Sequence, residues 1–257
     1  MRAWVARLAA GLLAASLAAC SNPFAPEYEY DEQIYLSVDG SATVVVNSSL
    51  PALVALRGAA VDPSYETRDD RASIRTLYER GGCTVDSVSR FWSRHGRRFV
   101  QVQVSTDDVR ALSKCALTAW SSYELGPKPG AEGVLMFRQV AGAAAGKPPA
   151  AANWNGSELV AFKLHAPSRI QYQNVRRLED GQPGSTERGN ILTWEQRLTD
   201  RLAGTPVEMV VEMDSTSILY TTLWLFAGAF AAAVIVLVLI IWWTIRRGRR
   251  GIAPGKK

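Results

Sequence analysis

The chain has 257 residues, 47% of them hydrophobic and 21% charged, with a formal net charge of +5. All 24 acids lie between Glu27 and Asp214, while two basic residues precede Cys20 and six follow Ile245. That leaves 21 basic groups against 24 acids in the middle. The positive charge therefore belongs to the ends and speaks of membrane orientation, not of a nucleic-acid surface. The composition also excludes a disordered chain, a disulfide-dense miniprotein and a many-span transporter.

Arg2 and Arg7 precede an apolar run of 12 residues, Leu8 to Ala19. A helix of that length is too short for a bilayer core of ~30 Å, and it fits a secretory signal sequence. The run ends Leu17-Ala18-Ala19-Cys20-Ser21. These residues resemble the lipobox of bacterial lipoproteins, in which the cysteine is lipidated and becomes the first mature residue. Cleavage after Ala18, behind small Ser16, is the alternative. Residues 1–19 are thus read as a signal peptide and Cys20 as the lipidation site. Residues 20–32, with Pro23, Pro26 and four acids, show no apolar period and read as a tether.

Residues 33–214 read as an α+β domain: an antiparallel sheet with two or three short helices on one face. Ile34, Leu36 and Val38 alternate up to Asp39-Gly40, and Ala42, Val44 and Val46 alternate after it, the pattern of a two-residue hairpin. Pro51 opens a short helix to about Gly58. Asp69 to Arg80 reads as a second helix with Ile74, Leu77 and Tyr78 on one face, closed by Gly81-Gly82. Strands near 84–94 and 97–104 flank His95-Gly96. Thr106 caps a third helix with Asp107 and Asp108 in its first turn and Val109, Leu112 and Ala116 inward. Further strands are expected at Ser121–Leu125, Val134–Val140, Glu158–His165, Arg169–Val175, Ile191–Leu198 and Val207–Met213.

Ile218 to Ile245 is 28 residues without a charge, enough to cross a bilayer. Tyr220 and Trp224 mark one interface and Trp242-Trp243 the other. A basic, acid-free tail, 246–257, follows and is expected to stay cytoplasmic. The preceding domain is then extracytoplasmic, where a disulfide between Cys83 and Cys115 would persist; two buried thiols are the other reading.

Chemistry is sparse. The two histidines, His95 and His165, sit in no metal-ligand spacing, and no nucleophile elbow or phosphate-cradling glycine loop is present. No cofactor, metal or catalytic residue is expected. Asp69-Asp70 and Asp107-Asp108 are explained as helix starts, His165 as a structural histidine and Glu195 as a solvated strand position. One constellation stands out. Pairing Arg94 with Arg97, Trp92 with Phe99 and Arg90 with Gln101 places Arg90, Trp92, Arg94, Arg97 and Phe99 on one face, opposite Phe91, Val100 and Val102. Three guanidiniums and two rings suit an anionic lipid headgroup or an acidic polymer. The plain alternative is a solvated tip whose arginine stems cover the rings.

The layout of lipobox, early hairpin Ile34–Val46, and a strand Asn190-Ile191-Leu192-Thr193-Trp194-Glu195 before a late span resembles LppM-like bacterial lipoproteins. The resemblance implies a periplasmic domain that handles lipid or glycolipid, and carries over no catalytic residue. The Arg-rich hairpin and Trp242-Trp243 have no match in it. The expectation is a non-enzymatic envelope lipoprotein, with membrane lipid or a membrane-protein partner and no nucleic acid. A structural subunit of a cytoplasmic-membrane complex is the alternative.

Overall fold

The structure, a computed structural model, describes residues 28–250 apart from 81, 82, 117 and 188. The signal peptide, Cys20, Gly81-Gly82 and the last seven residues of the tail lie outside the described residues.

The fold is α+β, as the sequence implies, but the strands form two sheets. The larger has seven strands: β1 (Tyr28–Leu36), β2 (Ala42–Ser49), β3 (Thr84–Val88), β4 (Trp92–Arg94), β5 (Arg97–Thr106), β8 (Leu159–His165) and β10 (Ile191–Arg197). Their order is β10-β8-β1-β2-β5-β3, with β4 paired to β5. The smaller sheet orders β6 (Ser121–Pro127), β7 (Val134–Ala141), β11 (Val207–Asp214) and β9 (Ile170–Gln173) as β6-β7-β11-β9. Neighbouring strands are antiparallel with one exception: β1 and β8 run parallel, with Ile34 opposite Leu164. No hairpin pattern announces that pairing, since the two strands lie far apart in sequence.

Helix α1 (Leu50–Arg57) starts where the Ser49 hydroxyl accepts from the Ala52 N–H at 3.1 Å and Pro51 occupies the first turn. It stops at Gly58, whose φ of +62° a side chain would strain. Helix α2 (Arg71–Glu79) is capped by Asp70, which accepts from the Ser73 N–H at 3.0 Å, and buries Ile74, Leu77 and Tyr78. Side chains from both helices and from the inner faces of both sheets form one apolar core, joining Leu53 and Ile74 to Val44, Val102, Phe162, Phe137 and Met213.

Three expectations change, and one short helix comes in addition. Residues 28–32 are not tether: they open β1, a central strand, and Glu29, Asp31 and Glu32 are buried. The turn between β1 and β2 spans residues 37–41, because Leu36 pairs with Ala42 and the exposed Asp39 carboxylate accepts from the Ser41 N–H at 3.0 Å. The third helix is a 3-10 turn, Val109–Lys114, ended by the disulfide-bonded Cys115 and by Thr118, whose hydroxyl donates to the Leu112 carbonyl at 2.6 Å. A short helix α3 (Leu198–Leu202) follows β10, and its Arg201 is fully buried with both guanidinium arms donating to the Ala141 and Gly142 carbonyls.

Helix α4 (Ile218–Arg250) leaves the domain directly after β11. Within it Thr222–Arg247 is long and apolar enough to cross a membrane: its most apolar 18-residue stretch has a mean hydropathy of 2.8 and none of that stretch is buried.

Candidate functional site

The strand pairings give the domain two ends. Leu36, Ala42, Thr106 and His165 gather at one end of the larger sheet. Tyr28, Ser49, Arg97 and Leu159 gather at the other. Helix α4 departs from the first. The Ser217 hydroxyl donates to the Pro167 carbonyl at 3.4 Å, the Asp214 N–H donates to the Arg169 carbonyl at 2.9 Å, and the Ser168 hydroxyl donates to the Asp214 carbonyl.

At this proximal end lies an open cleft of about 490 Å³. Its lining includes a stacked pair, Tyr35 on β1 and His165 on β8, with ring centroids 3.8 Å apart and planes 19° apart. The parallel register makes them direct neighbours. The walls come from the β1–β2 turn, the end of β5 and the segment after β8, with Ser37, Ser41, Thr43, Ser105, Thr106 and one acid, Asp107, among the lining residues; the hydroxyls of Ser41, Ser105 and Thr106 donate to Asp39, Asp86 and the Asp108 carbonyl. Gly40, at φ +92°, shapes the turn, and its carbonyl accepts from the Val109 N–H at 2.8 Å, which pins the 3-10 segment beside the cleft.

Burial, and then the ammonium of Lys163, push the His165 pKa below the ordinary 6.5, against the pull of Asp31 and Glu187. The imidazole is therefore neutral at pH 7. No lysine or arginine lines the cleft. A lining with an aromatic pair, one carboxylate and no cation matches a neutral polar ligand better than a bare phosphate.

The Arg-rich hairpin stands at the distal end. Its pairing is as the alternation implies, with Arg94 opposite Arg97 and Trp92 opposite Phe99. Arg90 falls outside the ladder, and instead the Ser89 N–H donates to the Gln101 carbonyl at 2.9 Å. The five residues do not form one free face. Phe99 is 2% exposed beneath Trp92 and the Arg94 guanidinium. Arg97 turns inward to Glu29 at 2.9 Å and Glu158 at 4.0 Å. The reason is covering by the segment 150–158. Trp154 Nε1 donates to Glu29 at 3.3 Å, and the Asn155 and Gly156 N–H groups donate to Glu158 at 2.8 and 2.9 Å. Arg94 donates to the Tyr28 carbonyl at 2.8 Å, while Arg90 and Trp92 stay exposed.

Cys83 and Cys115 form a disulfide with Cα atoms 5.5 Å apart, tying the start of β3 to the 3-10 segment. Glu195 is half-buried, not solvated, and accepts from the Tyr28 hydroxyl, whose pKa is raised by burial and by that carboxylate. Among the described residues no three His, Cys, Asp or Glu side chains group as metal ligands.

A polar node in the core has no local sequence signal, since two of its partners lie 91 and 107 residues from Glu32. Glu32 accepts from Tyr30 at 2.8 Å, Gln139 at 2.8 Å and Tyr123 at 3.2 Å. The Arg57 guanidinium lies 3.8 Å above the Trp120 ring, with Arg201 at 5.3 Å from the same ring. Burial lowers the pKa of Arg57, and the carboxylate of Glu32 opposes that shift. The donors to Glu32 come from β6 and β7 as well as β1, so the node stitches the two sheets together. Tyr30, Glu32, Tyr123 and Gln139 are all buried, so the node joins the sheets from inside the core.

No family model matches the chain, and no curated protein matches its sequence. Among solved structures it is similar to the folded domain of Mycobacterium tuberculosis LppM, determined by NMR, at 13% identity over 77% of this chain and 96% of that domain, with a TM-score of 0.39. At that score the likeness is loose, and no functional residue is carried over from it.

Proposed function

We propose that the chain is a non-enzymatic, membrane-tethered envelope protein whose extracytoplasmic domain binds the hydroxyl-rich headgroup of a membrane lipid in the cleft over Tyr35 and His165. The observation that carries this reading is the joint between cleft and helix: Pro167 lines the cleft and accepts from Ser217 at the start of α4. A headgroup in the bilayer that holds α4 is thus within reach of the cleft, where the exposed Tyr35 ring offers aromatic surface to a sugar or inositol. The signal sequence and the basic residues after Ile245 support an outside domain and a cytoplasmic C-terminus. Lipidation at Cys20 supplies a second anchor; one acyl chain holds reversibly, while a spanning helix is effectively permanent.

The test is native mass spectrometry of the full-length protein released from its membrane in mild detergent. The expected result is a co-purified lipid that disappears in the Tyr35→Ala/His165→Ala variant. Wild-type protein without any adduct, or an adduct indifferent to both substitutions, overturns the cleft as the site. Elution as a stoichiometric complex with other membrane proteins would favour a structural subunit instead.

A further inference from the structure

The C-terminal end of α4 carries an arrangement that a span alone does not require. Trp242, Trp243, Arg246 and Arg247 sit in its last turns, followed by Arg249 and Arg250. At about 100° per residue, these six positions fall within an arc of about 160° around the helix. Ile241, Thr244 and Gly248 hold the opposite side. A spanning helix needs a basic end to fix its orientation, but that end needs no particular face. Here the charges and the rings share one.

The side chains are tied in pairs. The Arg246 guanidinium lies 5.0 Å from the centre of the Trp242 ring, and that of Arg247 lies 5.0 Å from Trp243. Each pair is spaced i,i+4, so its members are neighbours one turn apart. Both rings are 55% exposed. The opposite side offers no such donor, because the Thr244 hydroxyl donates back to the Ile240 and Ile241 carbonyls at 2.8 Å each. No acid follows Asp214, and Arg246 lies 28 residues beyond Ile218, where α4 begins. At ~1.5 Å per residue that is about 42 Å along the helix, out of reach of the acids before it.

Depth then chooses the ligand. Trp242 and Trp243 close the apolar stretch, at the level where an indole meets headgroups. A guanidinium seated on such a ring is weakly hydrated, and its fork can give two N–H bonds to a phosphodiester. A zwitterionic headgroup would bring its own cation to a face that is already positive, and an anionic one would not. We propose that this face of α4 is a binding site for an anionic phospholipid in the leaflet that receives the helix end. Arg246 and Arg247 take the phosphate, and the two indoles hold them at its depth. The site rests on α4 crossing a bilayer and is independent of the cleft.

The experiment places the full-length protein in nanodiscs of mixed phosphatidylcholine and phosphatidylglycerol and counts the lipids that stay bound in native mass spectrometry. Phosphatidylglycerol is expected in excess of its share of the disc. A basic residue near the surface is worth roughly fivefold, so Arg246→Gln/Arg247→Gln should lower the bound ratio at least ~tenfold. Trp242→Leu/Trp243→Leu keeps the charge and should lower it about threefold. Adding Thr244→Arg and Gly248→Arg to the glutamine variant restores the net charge on the other side of the helix, and the ratio should stay low. Full recovery there, no loss in the leucine variant, or a wild-type ratio equal to that of the disc overturns the site. In sealed membrane vesicles, protease should reach the domain and a C-terminal tag from opposite sides. Access to both from one side refutes the crossing and this site with it, whereas a crossing helix without enriched lipid refutes the site alone.

Discussion

Arg97→Ala tests whether the distal end is closed by charge or by packing. The Arg97 side chain is 13% exposed, and those of Glu29 and Glu158 are 5% and 7% exposed. Truncating the arginine leaves two buried carboxylates without their cation. Each keeps its neutral donors, Ser49 and Trp154 on Glu29 and two backbone N–H groups on Glu158. Breaking a buried pair from one side costs ~3–5 kcal/mol; with those donors retained, the low end, about 3 kcal/mol, is expected. Arg94→Ala, which removes one bond to a neutral carbonyl and one ring contact, should cost about 1 kcal/mol. Urea unfolding of the full-length protein in micelles, followed by tryptophan fluorescence, resolves that difference. Adding Glu29→Gln removes one of the orphaned charges, so the double variant should be less destabilised than the sum of the two single losses, by about 2 kcal/mol. If Arg97→Ala costs no more than Arg94→Ala, or the two changes are additive, the ionic account of this end is wrong.

Reduction of the Cys83–Cys115 bridge, which closes a separation of 32 residues, should lower stability by ~3–4 kcal/mol, read as a shift of the urea midpoint with and without dithiothreitol. His165 should titrate below 6.5 by NMR. Because the unfolded chain binds the proton more readily than the folded one, stability should rise with pH between the lowered value and 6.5, and His165→Asn should flatten that rise. At Gly146 a Cβ would lie 1.9 Å from the Val54 carbonyl oxygen, whereas at Gly130 it meets nothing within 4 Å and only the φ of +76° is strained. Thermal melts should therefore show Gly146→Ala losing more than ~2 kcal/mol and Gly130→Ala about 1 kcal/mol.

Local pattern carried far in this chain because its signals are short-range. Alternation placed the strands through Val134–Ala141 and Val207–Asp214, since a half-buried strand must repeat every two residues. Asp70 and Pro51 marked helix starts because unsatisfied N–H groups demand a cap within three residues. The proximal cleft had no such signal. Tyr35 and His165 are 130 residues apart in sequence and meet only through the parallel pairing of β1 with β8.

The sequence by itself determined the α+β class, the starts of α1 and α2, the pairing of Arg94 with Arg97 and Trp92 with Phe99, and the length of the apolar helix. Each rests on residues close along the chain. Only the tertiary structure decided which charges are buried. Residues 28–32 carry the acids of a solvated tether and yet form a central strand. Glu29 is matched by Arg97, and Glu32 by Gln139, 107 residues away. A carboxylate enters a core only when its donors arrive from elsewhere in the fold, and no local pattern records their arrival.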